Sequence, residues 1–292
     1  MQKVKYTTPK GDWVVFDRTP PYLFEKITGI GAEDAQLMTT DSVGQDGKTL
    51  HGLYTADREI TVSIHIKGDS REKLYQNRMH LITLLSSGEN ADGQLGRLDY
   101  TNDYGTWWIP VAVKRGPQKN DRAGNYNPSV DLIFYAPWPY WRALSPIGGR
   151  VAYMDGGLSF PLTIPQEEGV HFGSKGYSAV IYNAGDRPTA VEIKIKGPSV
   201  RPTIYKMETG EYIRVDQSLL EGDVLLIQTM PGQRSVDITR ADGTVEPAFG
   251  YLDLTSTLFQ LTPGMNTIEY KSDDDTKATE VEIKAYSQFG GV

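Results

Sequence analysis

The chain has 292 residues, of which 39% are hydrophobic and 23% are charged, with no cysteine and a formal net charge of −7. These values describe a globular chain long enough for two domains. They exclude disulfide frameworks, thiolate metal sites and thiol nucleophiles, as suits assembly in a reducing cytoplasm. An acidic balance repels phosphate, and no apolar run approaches the roughly 20 residues of a membrane span, so neither nucleic-acid gripping nor membrane insertion is expected.

The first part of the chain predicts strands. Ser42–Thr49 is close to a phosphate-binding loop, but it lacks the first glycine and a preceding apolar strand, so it is interpreted as a hairpin turn. Ile60–Ile66 alternates apolar and polar residues, which is typical of a strand with one buried face, and its apolar residues are assigned to the core alone. Trp107–Val113 repeats the alternation, and Pro110 on the opposite phase indicates an edge or a bulge.

One segment, residues 70–86, has a helical period instead. The apolar residues at this spacing are Tyr75, Met79 and Ile82, broadened by Leu74, Leu81 and Leu85. Asp69 begins the spacing of a capping box, and Gly88 is suited to closing a helix. We therefore predict a single long helix among the strands of the first half.

The boundary between two domains is placed within residues 136–149, which gives domains of 1–145 and 146–292. Prolines in this stretch end strands and stiffen an extended connection. Trp138, Tyr140 and Trp141 lie among these prolines and are interpreted as buried aromatics at the domain junction. A sugar-binding platform built from the same rings is the alternative.

The second half predicts strands without a helix. Val191–Lys196 alternates apolar and charged residues, as do residues 280–285, and turn signals recur between such stretches. A β-sandwich or jelly roll is the expected architecture. The two halves also differ in net charge. Residues 1–145 hold 17 basic and 17 acidic side chains and are neutral, whereas residues 146–292 hold 13 basic and 20 acidic side chains and are acidic.

No catalytic or metal-binding pattern is found in the sequence. The four histidines, at positions 51, 65, 80 and 171, do not pair at metal-ligand spacing. A Gly-x-Ser-x-Gly elbow and a dinucleotide fingerprint are both missing. Asp273–Asp275 is interpreted as a solvated turn, with weak calcium binding as the alternative. We expect no enzyme activity, no metal and no cofactor.

The succession of strands and turns resembles the distal tail proteins of long-tailed phages that infect Gram-positive bacteria. The segments that carry the resemblance in the second half are Asn183–Thr189, Ile195–Gly197, Pro202–Ile204, Thr209–Tyr212, Leu220–Thr229 and Ser256–Tyr270. Those in the first half are Gly52–Tyr54, Arg58–Ile60, Leu84–Leu85 and Leu132–Arg142. Trp138 before Pro139 departs from the small polar residue expected at the junction.

The resemblance implies a mainly β protein with a split β-barrel-like N-terminal domain containing one α-helix and a galectin-like C-terminal β-sandwich. It further implies a structural hub at the virion tail tip, built as a homo-hexameric ring and assembled in the host cytoplasm. The implied partners are the tail tube protein, a tail-associated lysin or tail-tip protein, and a receptor-binding protein. A neutral ring domain without a basic stripe fits a channel that lets DNA pass without gripping it.

Within this interpretation, the polar connection 115–128 is longer than an ordinary hairpin loop. We predict that it contacts a neighbouring subunit or the tail tube, through side chains that include Arg115, Lys119, Asn120, Arg122 and Tyr126. A mobile surface loop is the alternative. Two other functions stay open for the whole chain: a carbohydrate-binding module, and a tail enzyme that degrades polysaccharide.

Overall fold

The structure is a computed structural model that describes residues 2–86, 93–118, 129–155, 174–274 and 279–292. The chain forms two compact units: Met1–Leu144 together with Phe289–Val292, and Ser145–Gln288. The last four residues therefore group with the first unit, which corrects the predicted second domain of 146–292 at its end. Within the described residues, no helix is long and apolar enough to cross a membrane.

The first unit is built mainly from antiparallel strands. These are β1 (Lys3–Thr7), β2 (Trp13–Phe16), β3 (Tyr22–Thr28), β4 (Ala35–Thr40), β5 (Thr49–Thr55), β6 (Arg58–Ile66), β7 (Gly96–Thr101), β8 (Thr106–Arg115), β9 (Ser129–Ala136) and β10 (Trp141–Ala143). The main sheet runs in the order β2-β1-β7-β8-β9-β6-β3, with β10 also paired to β8. β4 and β5 form a separate two-stranded hairpin.

The alternating strands bury the predicted residues. The four apolar side chains of β6 are fully buried, as predicted, and the apolar side chains of Trp107–Val113 are buried in β8. Ala112 begins the pairing of β8 with β9, while β10 pairs with Trp107 and Trp108. Pro110 pairs with Arg97 of β7, and on the other side of β8 it lies in the gap between the residues that pair with β10 and those that pair with β9, which is a local edge of the kind that the proline indicated.

The predicted helix is present as α1 (Arg71–Leu84), but its buried face differs from the expected one. Leu74, Leu81 and Leu84 face the core, while the centre of the predicted stripe, Tyr75, Met79 and Ile82, is exposed. The helix carries two apolar stripes at helical spacing, and the leucine stripe is the one that packs inward. The capping residue is also corrected from Asp69 to Ser70, whose hydroxyl accepts a hydrogen bond of 3.1 Å from the Lys73 amide. Gly88 lies outside the described residues.

The second unit consists of two sheets. Its elements are β11 (Ile147–Asp155), β12 (Ser174–Gly176), β13 (Ser178–Asn183), β14 (Thr189–Lys196), β15 (Thr203–Lys206), β16 (Glu211–Arg214), β17 (Val224–Gln228), β18 (Ser235–Thr239), β19 (Val245–Pro247), a 3₁₀ helix (Phe249–Tyr251), β20 (Gln260–Leu261), β21 (Gly264–Lys271) and β22 (Glu280–Ala285). β23 (Gln288–Phe289) stands where the chain passes from this unit back to the first.

The two sheets of the second unit share one core. The larger sheet runs β12-β11-β22-β14-β17-β18-β19 with β20 on β14, and the smaller runs β13-β21-β15-β16. One cluster of buried side chains contains residues of both sheets. It includes Ile193 and Ile283 from the larger sheet and Ile204 and Ile268 from the smaller, each at most 1% exposed. The alternation predicted for β14 and β22 is confirmed by this burial, and the chain as a whole is mainly β, as expected.

Candidate interaction surfaces

The candidate chemical groups of the sequence are engaged in ordinary contacts. Across the described ranges, no group of three or more His, Asp or Glu side chains is placed to hold a metal ion. His65 lies 3.3 Å from the Glu25 carboxylate, and the His51 imidazole lies 2.7 Å from the Thr40 hydroxyl. His171 lies outside the described residues.

The acidic turn near the end of the chain binds arginines. One carboxylate oxygen of Asp273 lies 2.5 Å from the guanidinium of Arg201 and 3.3 Å from that of Arg214. Asp273 is nevertheless exposed, as expected for a solvated turn, and its carboxylate oxygen is shared by two arginines. Asp275 lies outside the described residues.

The three aromatics assigned to the domain junction lie within the first unit. Trp141 is completely buried in the core of that unit. Trp138 and Tyr140 meet edge to face with ring centroids 5.4 Å apart, and the Tyr140 hydroxyl donates a hydrogen bond of 3.1 Å to Thr55. A flat platform for a sugar needs exposed faces on all three rings, so the burial of Trp141 contradicts the platform alternative.

The predicted contact loop is described only at its start. Arg115 is exposed at the end of β8, just after a bulge in the pairing with β9. Lys119, Asn120, Arg122 and Tyr126 lie outside the described residues, so their contact role stays a prediction.

The hairpin β4–β5, which we call the arm (Ala35–Thr55), is exposed on both faces. No residue from Glu33 to Asp57, a segment described in full, is buried. Leu37 and Leu53 are directly paired across the two strands and are 58% and 65% exposed. An isolated two-stranded hairpin is marginally stable in water, so the arm has the properties of a segment that another surface covers.

The turn of the arm confirms one prediction. Ser42 accepts a backbone hydrogen bond of 3.1 Å from Gln45 within the connection between β4 and β5. The near phosphate-binding sequence Ser42–Thr49 therefore forms a hairpin turn, as interpreted from its missing glycine.

Arg58 fixes the base of the arm. Its guanidinium is almost completely buried and donates to four backbone carbonyls: Gly29 at 2.8 Å, Gly31 at 2.7 Å, Pro139 at 2.8 Å and Gly290 at 2.5 Å. Burial lowers the pKa of Arg58, and this effect is opposed by the acidic side chains at positions 33 and 34. One side chain thus joins both the chain entering the arm and the last residues of the sequence.

A second exposed feature of the first unit is a basic face. It consists of Lys3 and Lys5 on β1, Arg97 on β7, Arg142 on β10, and the indole of Trp108 on β8 between the arginines. The guanidinium carbons of Arg97 and Arg142 lie 4.7 Å and 4.9 Å from the Trp108 ring centroid, which is cation–π geometry. A shallow cavity of about 570 Å³ on this face is lined by both lysines and Arg97.

The basic face corrects the expectation that the first half has no basic stripe. The strands β1, β7, β8 and β10 are neighbours in the sheet, and this order brings four residues side by side: Lys5, Asp99, Trp108 and Arg142. These residues are far apart in the sequence, so a scan for consecutive basic residues misses them. The arm was also missed, although the lack of a regular alternation in residues 35–55 was a signal that neither face is buried.

Two family models match the sequence, one in each unit. The model described as phage tail protein RIFT-related domain matches residues 10–127, and the model described as siphovirus-type tail component, C-terminal domain, matches residues 184–286. Their order along the chain is that of the two units, and together they cover most of it. No curated protein matches the sequence.

Solved structures of phage tail proteins are similar to the whole chain. The crystal structure of the SPP1 Dit protein, described as a paradigm of the hub adsorption apparatus in phages infecting Gram-positive bacteria, aligns with a TM-score of 0.66 at 13% identity and covers 99% of both chains. Chains of the phage p2 baseplate, in its activated conformation with strontium and with calcium, align with TM-scores of 0.53 and 0.52 at 14% and 15% identity, covering 97% of both chains. At these identities the likeness shows the fold.

Proposed function

The chain belongs to the siphovirus-type distal tail proteins and is a structural hub or baseplate component of a phage tail, and from that premise we propose that it forms a ring joining the tail tube to the host-adsorption apparatus. In this proposal the ring is a homo-hexamer built by the first unit, and the second unit carries the contacts to the adsorption proteins. The matched models and structures are those of structural tail components and not of enzymes.

The observation that carries the proposal is the exposed arm. A chain that acted as a separate monomer would leave Leu37, Leu53 and their neighbours in water on a hairpin that its own core does not cover. A ring offers each arm a neighbouring copy, and it uses one surface patch on each side of every subunit. The neutral charge of the first half supports tight packing, because it avoids net repulsion between identical copies.

The proposed partners follow the same division. The ring would bind the tail tube protein on one side and a tail-associated lysin or tail-tip protein on the other, while the acidic second unit would contact a receptor-binding protein. The contact loop 115–128 would take part in the ring or in the tube contact. Assembly would take place in the host cytoplasm, whose reducing conditions suit a chain that has no cysteine and depends on no disulfide.

Native mass spectrometry with negative-stain imaging tests the proposal. A hexamer of this 32.5 kDa chain has a mass of about 195 kDa, and we expect rings of that mass in the purified protein or after mixing with the tail tube protein. A monomer at every concentration, with no rings even in the presence of the tube protein, would overturn the proposal.

A further inference from the structure

The cavity on the basic face has the size of a small-molecule site. Its volume of about 570 Å³ falls within the roughly 300–1,000 Å³ that is typical of such sites. The strands β1, β7 and β8 supply its walls, together with Leu144, the residue that follows β10. All of these belong to the first unit, so a single copy of the chain contains the whole cavity.

Two lysines line the cavity without an acidic partner. Lys3 and Lys5 project from the same face of β1, about 7 Å apart, because alternate residues of a strand share a face. Within the described residues, neither ammonium group forms an ion pair. The carboxylate of Asp17 feels the charge of Lys3, but its hydrogen bonds come from the amide and the hydroxyl of Thr19. The two ammonium groups are therefore available to an anion.

A third cation, Arg97, is held in place by its neighbours. Its Nε and one terminal nitrogen lie 2.7 Å and 2.6 Å from the same oxygen of Asp99, and its guanidinium carbon lies 4.7 Å from the centroid of Trp108. Asp99 thus occupies the edge of the guanidinium that would bind another carboxylate through two parallel hydrogen bonds. With three cations and one carboxylate, the cavity has a formal charge of +2.

The other polar groups of the cavity are threonine hydroxyls. Thr7 is paired with Arg97 across β1 and β7, and Thr101 is paired with Thr106 across β7 and β8. The hydroxyl oxygens of Thr101 and Thr106 lie 3.0 Å apart. A hydroxyl both donates and accepts, which suits the alcohol groups of a polyol or a sugar. The half-exposed side chain of Leu144 adds an apolar surface beside them.

We propose that this cavity binds a phosphate ester of a polyol or sugar. The ammonium groups of Lys3 and Lys5 would contact the phosphate, because lysine binds phosphate as a point charge and needs no planar partner. The threonines would bond the alcohol groups, and Leu144 would cover the carbon chain. A free phosphate ester and a polymer of polyols linked by phosphodiesters both present this chemistry.

The cavity suits this ligand better than nucleic acid or an acidic polypeptide. The Trp108 indole is already stacked by Arg97 and Arg142, so it offers no free platform for a base. A formal charge of +2 also releases few counterions from a DNA duplex. The carboxylates of a polypeptide are best bound by an arginine fork, and Asp99 already occupies that of Arg97.

Calorimetric titration of the full chain at low salt tests the site. The probes are glycerol 3-phosphate and a short glycerol phosphate oligomer, and the site variant carries Lys3→Gln and Lys5→Gln. We expect the wild type to bind at least one probe, and the site variant to bind it at least tenfold more weakly. A control variant with Lys67→Gln and Lys73→Gln, at two other exposed lysines of the first unit, loses the same charge and should bind like the wild type. An unchanged melting temperature checks that each variant is folded.

The Thr106→Val variant separates recognition of the polyol from attraction to charge. It keeps the shape of the side chain and every charge of the cavity, but it removes one hydroxyl. Binding of the glycerol phosphate probe should therefore weaken, whereas binding of inorganic phosphate should stay the same. Equal affinities of Thr106→Val and the wild type for the glycerol phosphate probe would overturn the proposed ligand class.

The remaining outcomes also decide the proposal. An oligomer that binds at least tenfold more tightly than glycerol 3-phosphate would support the site and identify a polymer as the ligand, whereas equal affinities would support it and identify a free ester. No binding of either probe to the wild type would overturn the proposal, and so would equally tight binding of poly-glutamate or of a DNA duplex. Because one copy contains the whole site, none of these results bears on the ring, which native mass spectrometry tests separately.

Discussion

Arg58 is the residue whose removal should most disturb the first unit. The Arg58→Met variant keeps most of the aliphatic volume of the side chain but deletes every hydrogen-bond donor. Four carbonyls then lose their partner, on the chain entering the arm, at Pro139 and at Gly290. Because these segments are far apart in the sequence, no local interaction replaces the lost bonds.

The magnitude follows from the burial of the four acceptors. The bonds to Pro139 and Gly290 are buried, whereas those to Gly29 and Gly31 are partly buried, so water can satisfy the latter pair after substitution. A buried acceptor left without a partner costs about 1–3 kcal/mol. The two buried carbonyls together therefore predict a loss of about 2–6 kcal/mol in the free energy of unfolding. Arg58→Lys, which retains the charge but not the planar fork of donors, should lose less.

Denaturant unfolding followed by tryptophan fluorescence measures this loss, since Trp141 lies in the same core. Hydrogen exchange should additionally become faster at Val292, because its amide donates to Ile30, which lies in the sequence between the Arg58 acceptors Gly29 and Gly31. Arg18→Met, at an exposed position, is the matched control and should change stability by less than about 0.5 kcal/mol. A loss below about 1 kcal/mol for Arg58→Met, with unchanged exchange, would refute the reasoning.

Three further substitutions test other contacts. Burial raises the pKa of Asp223, but hydrogen bonds from two backbone amides and Arg240 outweigh this effect and hold the pKa below its ordinary value of 3.8. Asp223→Asn should therefore lower the melting temperature at pH 7. The difference from the wild type should shrink as the pH falls through and below 3.8. Gly148 has φ of +146°, and an added Cβ would lie 1.9 Å from a carbonyl oxygen of β22. Gly148→Ala should therefore lower the free energy of unfolding, measured with denaturant, by about 3 kcal/mol or more. Gly149→Ala is the control and should not lower it, because the space around Gly149 is open. Burial raises the pKa of Tyr22 to about 12, and its hydroxyl donates a hydrogen bond of 2.8 Å to a carbonyl of α1. In an ultraviolet titration, Tyr22→Phe should show one tyrosine fewer than the wild type ionising near pH 12. The variant should also lose about 1 kcal/mol in the free energy of unfolding.

The strands were predictable because their signal is local. Ile60–Ile66 and Val191–Lys196 have a period of two, and a period of two buries the same face in any sheet. The helix shows the limit of this reasoning. Its existence follows from spacing alone, but two apolar stripes fit the same spacing, and the packing partner decides which one turns inward. Tyr75 is exposed and Leu81 is buried for that reason.

The interaction surfaces could not be predicted in the same way. The basic face depends on strand order, because Lys5 and Arg142 are brought to one surface only by the pairing of β1, β7, β8 and β10. The network of Arg58 likewise joins segments separated by up to 232 positions. Neither contact leaves a trace in the spacing of neighbouring residues, so the topology of the sheet had to be known first.

The charge of the first half shows how far a sum can mislead. Equal numbers of basic and acidic residues suggested a unit with little electrostatic character, whose packing into a ring would simply avoid repulsion. The fold gathers Lys3, Lys5, Arg97 and Arg142 on the basic face beside Asp99, whereas the arm holds Asp41, Asp46 and Lys48 and so carries a formal charge of only −1. A balanced total therefore does not describe the charge of the individual surfaces that a neighbouring protein would meet.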